Sequence, residues 1–442
     1  MYFRPMSICI VINLVAAGAL QAQAVNLTEA RDTCVRNEMT MALEGKITVN
    51  ENGKQVVYPH KARATHVYLE RFIDINGAVS DKAARVYTTA ESSITFNNDA
   101  PQKRTLRPDR ASLMVAQRHK DHVVSYSIHG MLTREEMELT EHFDTQSIPG
   151  LLPGKQIAVG QTWPIAPNVV AALCDFDGLV LNKLEGQLKA VKGNIAHISI
   201  VGNAEGINLG AQVKVLVNAQ LQFDINAQRI VALEWEETDA RQQGPIGPAM
   251  SADVVVKLKR TPIAVPEALS NNALVKVPNG PPPSDLTALH HKHPRYTLNY
   301  GREWYVTSPD DSPQLVLRYL ERGQFVAQAT VSTPWKKTPL DKVMPIGAFA
   351  AEMRAIPGWS ETRQLEENDM LPKGPKSQHT VYRVGAEGDL NGVKTTQFFY
   401  LIVGANGEQV VVTFSVGPSQ VQQLGQRDLD MIRAIEFPEA PK

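Results

Sequence analysis

Cysteine is nearly absent from this chain: Cys9, Cys34 and Cys174 are the three in 442 residues. So few exclude a disulfide-knit scaffold, and their separation excludes the Cys-x-x-Cys spacings of zinc ribbons and thiol oxidoreductases. Neither sign of charge prevails, with 45 Lys and Arg against 46 Asp and Glu and a formal net charge of −1. A balance of that kind gives no general electrostatic drive toward nucleic acid or an anionic bilayer. Missing as well are the G-x-S-x-G elbow, the P-loop, the dinucleotide fingerprint, H-E-x-x-H and the EF-hand loop. None of the reactions those motifs announce is legible, and the sequence points to no cofactor and no metal.

What is present is globular. Apolar residues make up 43% and charged residues 21% of the chain, and its length calls for more than one core. The opening "MYFRPMSICIVINLVAAGALQAQA" has Arg4 ahead of an apolar segment from Ser7 to Leu20. Ala22-Gln23-Ala24 then matches a small-x-small cleavage site. Residues 1–24 are therefore expected to be a cleavable signal peptide, and the mature chain to be secreted or periplasmic. Cys9 leaves with that segment. Cys34 and Cys174 remain, and two readings stay open for them: one disulfide, or two buried thiols.

Period-two alternation dominates the first half. Val35, Met39, Met41, Leu43, Ile47 and Val49 are interleaved with Arg36, Glu38, Thr40, Glu44, Lys46 and Thr48. One face of such a strand is buried and the other is wet. Asn52-Gly53 is a hairpin signal, and the chain returns through "QVVYPHKARATHVYLERF". Val213, Val215, Val217, Ala219, Leu221 and Phe223 alternate in the same way before "DINAQ" turns the chain into "RIVALEWEE". Turns this tight leave no room for crossover helices, so the strands are antiparallel. Helices are few. Ser80 is positioned to cap one through Ala83, Ala84 and Tyr87, and Thr133 to Glu136 form a capping box for another that reaches about His142.

From Thr261 to Pro294 seven prolines interrupt any periodicity, so residues 261–294 are expected to be a linker between a domain at 25–260 and another at 295–442. The second domain runs through "YTLNY", "EWYVTS", "LVLRYLE" and "QFVAQATV". A helix over "GAFAAEMRAI" follows, then three further strands. A final helix would have Val421, Leu424, Leu429, Ile432 and Ile435 on one face.

The long amphipathic strands of residues 25–260 resemble the LolA-like half-barrels of lipoprotein carriers, in which antiparallel strands wrap an apolar cavity closed by short helices. Residues 296–437, with the opening pair "YTLNYGREWYV", the pair "VLRYLERGQFVAQATV", a mid-domain helix and a terminal helix after a long hairpin, resemble the PsbP/Mog-type fold. The two-part layout is similar to that of secreted bacterial proteins. These resemblances imply an α+β chain made of an antiparallel β half-barrel and a smaller α/β sandwich-type domain. They transfer no catalytic residue.

Local chemistry is sparse. His290, His291 and His293 crowd together beside prolines, but only His291 and His293 could share a strand face, so they read as solvated linker histidines. His119, Asp121 and His122 surround Lys120-Asp121, which reads as a hairpin turn. Asp310-Asp311 and Glu366-Glu367 adjoin polar runs, not the two sides of a cleft. The aromatic and aliphatic positions of two alternating strands, Val213, Val215, Val217, Leu221, Phe223 and Trp235, are candidates to line a hydrophobic hollow. The resulting expectation is an exported, non-enzymatic binding protein for a lipid, acyl chain or hydrophobic peptide, able to dock on an envelope partner and with no affinity for nucleic acid. An extracellular hydrolase whose residues meet only in the fold, and an envelope scaffold, are the alternatives.

Overall fold

The computed structural model describes residues 24–30, 34–51, 53–76, 79–119, 122–141, 143–309, 312–370 and 380–438. Residues 1–23 of the expected signal peptide, Lys120-Asp121, His142 and Asp310-Asp311 lie outside these ranges. The chain is β-rich α+β, mostly antiparallel sheet, and among the described residues no sheet closes on itself.

The large sheet has 13 strands. Its centre is the pairing of the first long strand, Cys34–Glu51, with the last, Ala249–Ile263, in register from Ile263 opposite Cys34 to Ala249 opposite Thr48. One wing runs outward through Lys54–Asn76, Val79–Phe96, Met114–His119 and His122–Ser127. The other runs through Arg229–Arg241, Ala211–Asp224, Ile195–Asn208, Glu185–Lys192 and Thr162–Pro164. In Ala211–Asp224 burial alternates residue by residue, as the sequence pattern predicts. The inner face of this wing packs against residues 143–176, whose Ile148, Leu151, Val170 and Phe176 share one core with Val217, Phe223 and Trp235.

The helix expected after Ser80 is instead part of the strand Val79–Phe96. Lys82, Ala83, Ala84 and Arg85 are all buried, because this strand is covered on both faces and so shows no alternation to read. On its inner face Arg85 Nε donates to Glu70 Oε1 at 2.8 Å and Arg85 Nη2 to Thr145 Oγ1 at 3.0 Å. Over the other face lies the proline-rich segment. That segment holds short helical turns at Glu267–Leu269, Asn271–Leu274 and Ser284–Thr287 and ends in the strand Leu289–His293, and it is a packed strap: Leu269 and Val277 sit in a core with Cys34, Ala84, Val115 and Tyr126. Lys82 Nζ donates to Pro278 O at 2.9 Å, and Arg71 Nη1 to Leu269 O at 2.6 Å.

Residues 295–442, expected to be the second domain, hold a seven-stranded antiparallel sheet, Trp304–Val306, Gln314–Glu321, Gln324–Ser332, Gln409–Val416, Val393–Val403, Thr380–Leu390 and Trp359–Met370 in spatial order. The helix Ile346–Arg354 covers one face. The expected single terminal helix is two short ones, Val421–Leu424 and Arg427–Arg433, broken at Gly425 with φ +62°, and Ile435 passes into a strand. Met114, Leu132 and Leu139 share a core with Leu289 of the strap and with Tyr300 and Trp304 beyond it. Arg302 bonds the Glu141 carboxylate and Ser125 O, and Arg134 Nη1 donates to Val306 O at 2.9 Å. The two sheets therefore meet through a continuous apolar core edged by the Arg302–Glu141 ion pair, across the helix Arg134–Glu141.

Candidate functional site

The inner face of the large sheet is not hollow throughout. Residues 143–176 occupy most of it, and a cavity of about 380 Å³ remains near the sheet centre. Strand register explains its walls. Met41 pairs with Val256 and Leu43 with Val254 across the central seam, and they are faced by Phe143 and Leu173 of the covering segment and by Leu139 of the helix Arg134–Glu141. The apolar body thus comes from two strand faces and one plug.

Of the six residues expected to line a hollow, the structure brings Val213 alone to this cavity. Val215, Val217, Leu221, Phe223 and Trp235 point to the inner face as the alternation required, but they are packed inside the core with the plug. The Trp235 ring meets Phe143 edge-on, with centroids 6.1 Å apart. The correction has a simple cause: five inward side chains met by a filled segment make a core, and only the end of the strand beyond the plug remains open. Leu221 also lies between Gln220 and Gln222 in the floor of a groove of about 480 Å³ on the polar side of the sheet, lined by Glu38, Lys257 and His197.

The chemistry sits at the other end of the cavity. The strand Arg229–Arg241 keeps its odd positions inward past Trp235, so Glu237, Asp239 and Arg241 follow it on the same face, and Asp175 and Asn208 stand beside them. Val213 is the register partner of Arg241. Trp235 Nε1 donates to Glu237 Oε2 at 2.7 Å, and Asn208 Nδ2 donates to Asp175 Oδ2 at 2.9 Å. Burial, reinforced by the charge of Asp239, pushes the Glu237 carboxyl up to about 8, against the lowering effect of the Trp235 bond. Burial and the charges of Asp175 and Asp253 push Asp239 up to about 6. Burial and Asp177 raise Asp175. Desolvation lowers the Arg241 guanidinium, while Asp175 and Asp177 oppose that shift. Asp175 itself has a left-handed backbone, φ +53°.

The second domain adjoins this polar end. Tyr305 is near enough to Asp177 and Asp175 for their charges to add to the effect of burial in raising its hydroxyl pKa. Arg318 donates to Pro245 O, and a Cβ on Gly210 would collide with Gly323 O.

The other candidates fall elsewhere. His290, His291 and His293 are in a strand, Leu289–His293, and not in a solvated loop. His290 Nδ1 is 2.8 Å from Asn299 Oδ1, and His293 stacks on Tyr296 with ring centroids 4.6 Å apart. His119 and His122 are register partners, and His122 Nε2 lies 3.7 Å from Asp177 Oδ1. Among the described residues no three His, Cys, Asp or Glu side chains are grouped to hold a metal ion. Cys34 lies beneath the strap and Cys174 on the inner face, so the sheet separates two free, buried thiols. Burial and the neighbouring Glu237 raise the Cys174 thiol well above its ordinary range. Glu366 pairs with Arg383 at 3.1 Å on the far edge of the second domain.

Sequence reasoning missed Glu237, Asp239 and Arg241, although the signal was there. Leu233, Trp235, Glu237, Asp239 and Arg241 share one parity, so the polar residues at the end of the strand face the same way as its apolar ones.

No protein-family model matches this sequence, and no curated protein matches it. Among solved structures, the chain is similar to one titled "Lipid-protein interactions in lipovitellin", at 10% identity and TM-score 0.31 over 55% of this chain and 27% of that one. It is also similar to cyanobacterial PsbP from Synechocystis sp. PCC 6803, at 11% identity and TM-score 0.26 over 34% of this chain and 92% of that one. A third is the translocator domain of the autotransporter NalP from Neisseria meningitidis, at 8% identity and TM-score 0.14 over 88% of each chain. The chain spans about a quarter of the lipovitellin structure. At these TM-scores the likenesses decide neither fold nor function.

Proposed function

We propose that the protein is an exported, non-enzymatic binding protein that holds one apolar chain in its N-terminal domain and docks on an envelope partner. The observation that carries the binding reading is the cavity of about 380 Å³, walled by Met41, Leu43, Val254, Val256 and Phe143 and polar at one end. A volume near the low end of the roughly 300–1,000 Å³ of small-molecule sites suits a single chain better than a two-chain lipid. Native mass spectrometry of the secreted chain, together with a hydrophobic-dye titration, tests it. Co-purifying ligand or saturable dye binding supports the reading, and a ligand-free protein that binds no dye removes it.

A second reading, an extracellular hydrolase, draws on one specific observation. Glu237 and Asp239 are carboxyls raised by burial inside a cavity, a pattern common at acid–base sites. Chromogenic ester and glycoside substrates with the wild type and Glu237→Gln separate the two, because turnover lost in that variant would favour the hydrolase.

A further inference from the structure

We propose that the cavity is the inner end of a longer apolar trough, which follows the sheet toward the tip of its first hairpin and takes a long unbranched alkyl chain. The proposal rests on the carrier reading and adds the length of the ligand's tail.

Strand register carries the argument. Met250 and Ile94 line the cavity. Met250 pairs with Ile47, and Ile47 with Tyr58 on the next strand. Two residues past Ile94 its strand presents Phe96, opposite His60. Val49 and its partner Val56 stand two residues farther out than Ile47 and Tyr58. Cross-strand partners and alternate residues share a face. The cavity wall therefore continues through Ile47, Tyr58, Phe96, Val49 and Val56. From Leu43 to Val49 the strand covers about 20 Å, at a rise of roughly 3.3 Å per residue. Between Leu43 and Ile47 this row is Gly45, where a Cβ would collide with Ser251 O and Ala252, so no side chain of that strand blocks the passage.

Nothing in the fold's packing accounts for these side chains. Among the described residues, none of the apolar cores contains them. Phe96 is 38% exposed, and Ile47, Val49, Val56 and Tyr58 are half-buried. The Tyr58 and Phe96 rings lie against each other with centroids 5.2 Å apart. A hairpin end with water on both sides needs no difference between its faces, yet here they differ. The inner face, from Gly45 to Val49 and from Val56 to His60, carries no Asp, Glu, Lys or Arg. Glu44, Lys46 and Lys61 are exposed on the other, where Lys61 pairs with Glu44 at 3.4 Å. An uncharged strip calls for an uncharged occupant, and its continuity with the cavity says which. A tail seated in the cavity covers the strip with its remaining methylenes.

The test is displacement of a hydrophobic dye from the full chain by 1-monoacylglycerols with saturated tails of ten to eighteen carbons, below their aggregation limits. Their uncharged head is constant, so differences report the tail. Affinity should rise about three- to fourfold for each added methylene across the whole series. Phe96→Ser and Ile47→Ser should each cut the ratio of eighteen- to ten-carbon affinity by about tenfold, roughly what two buried methylenes contribute. Val57→Ser, on the opposite face, should leave that ratio unchanged. A rise that levels off part-way through the series, or a ratio that neither Phe96→Ser nor Ile47→Ser moves, overturns the trough and leaves the carrier reading standing. No displacement by any tail removes both. Sedimentation of the unliganded chain tests the other occupant: a dimer that Phe96→Ser dissociates would assign the strip to a second copy and overturn the proposal. Should the variants fail to fold, the wild-type length series decides.

Discussion

Trp235 and Glu237 share the inner face of one strand, and the indole N–H of the first bonds the carboxylate of the second at 2.7 Å. The bond joins a packed core to the polar end of a cavity, so a change in one residue is read in the other. Trp235→Phe keeps most of the buried ring and deletes the donor. It should lower stability by about 1–3 kcal/mol, the cost of leaving a buried acceptor unsatisfied. It should also raise the Glu237 pKa further, since the Trp235 bond opposes the effect of burial. Chemical denaturation and carboxyl NMR titration check both; an unchanged Glu237 titration would contradict the bond.

Glu237 also sets a pH dependence. Its carboxyl is raised from 4.5 to about 8 in the folded chain, so between those values the native state holds a proton that the unfolded state has released. Stability therefore falls as pH rises through that window and levels off above it. Melting temperature measured from pH 5 to pH 9 should decline, and Glu237→Gln should flatten the slope. An equal slope in the variant would place the titration elsewhere.

The cavity can be filled from its wall. Leu43 borders it opposite Val254, and Leu43→Trp should occupy the apolar body. Dye and amphiphile affinity should drop at least about tenfold, with about 1–3 kcal/mol of stability lost to overpacking. Unaltered dye binding in a folded variant would mean that the dye binds somewhere else.

Glu70 and Arg85 form a buried ion pair at 2.8 Å, with Asn37 Nδ2 and Thr145 Oγ1 completing its bonds. Glu70→Ala leaves the Arg85 charge buried and unpaired, at a cost of about 3–5 kcal/mol. Urea unfolding curves measure it, and a loss below about 1 kcal/mol would show that water reaches Arg85.

Much of the first domain was legible because its strands bury one face. The odd positions from Val213 to Phe223 face the core as their pattern requires, and the Thr133–Glu136 capping box forms, with Thr133 N donating to Glu136 Oε2 at 2.9 Å. Legibility failed where burial is two-sided. Residues 82–85 carry no alternation because the strap and the inner core cover both faces, and a helix was inferred in its place. For the strap, the run of prolines predicts a linker, because prolines disfavour long regular elements and say nothing about packing. The site was half legible. Alternation told which side chains point inward, but not that residues 143–176 would fill most of the space in front of them.

The seam between Cys34–Glu51 and Ala249–Ile263 joins the two ends of the first domain. A nascent chain carrying only the first wing exposes the edge of its opening strand until the partner, more than two hundred residues downstream, has been synthesised. Pairings so distant in sequence form slowly, and an unpaired strand edge invites association with other chains. Productive folding of this polypeptide therefore depends on keeping that one edge free until the domain's last strand arrives.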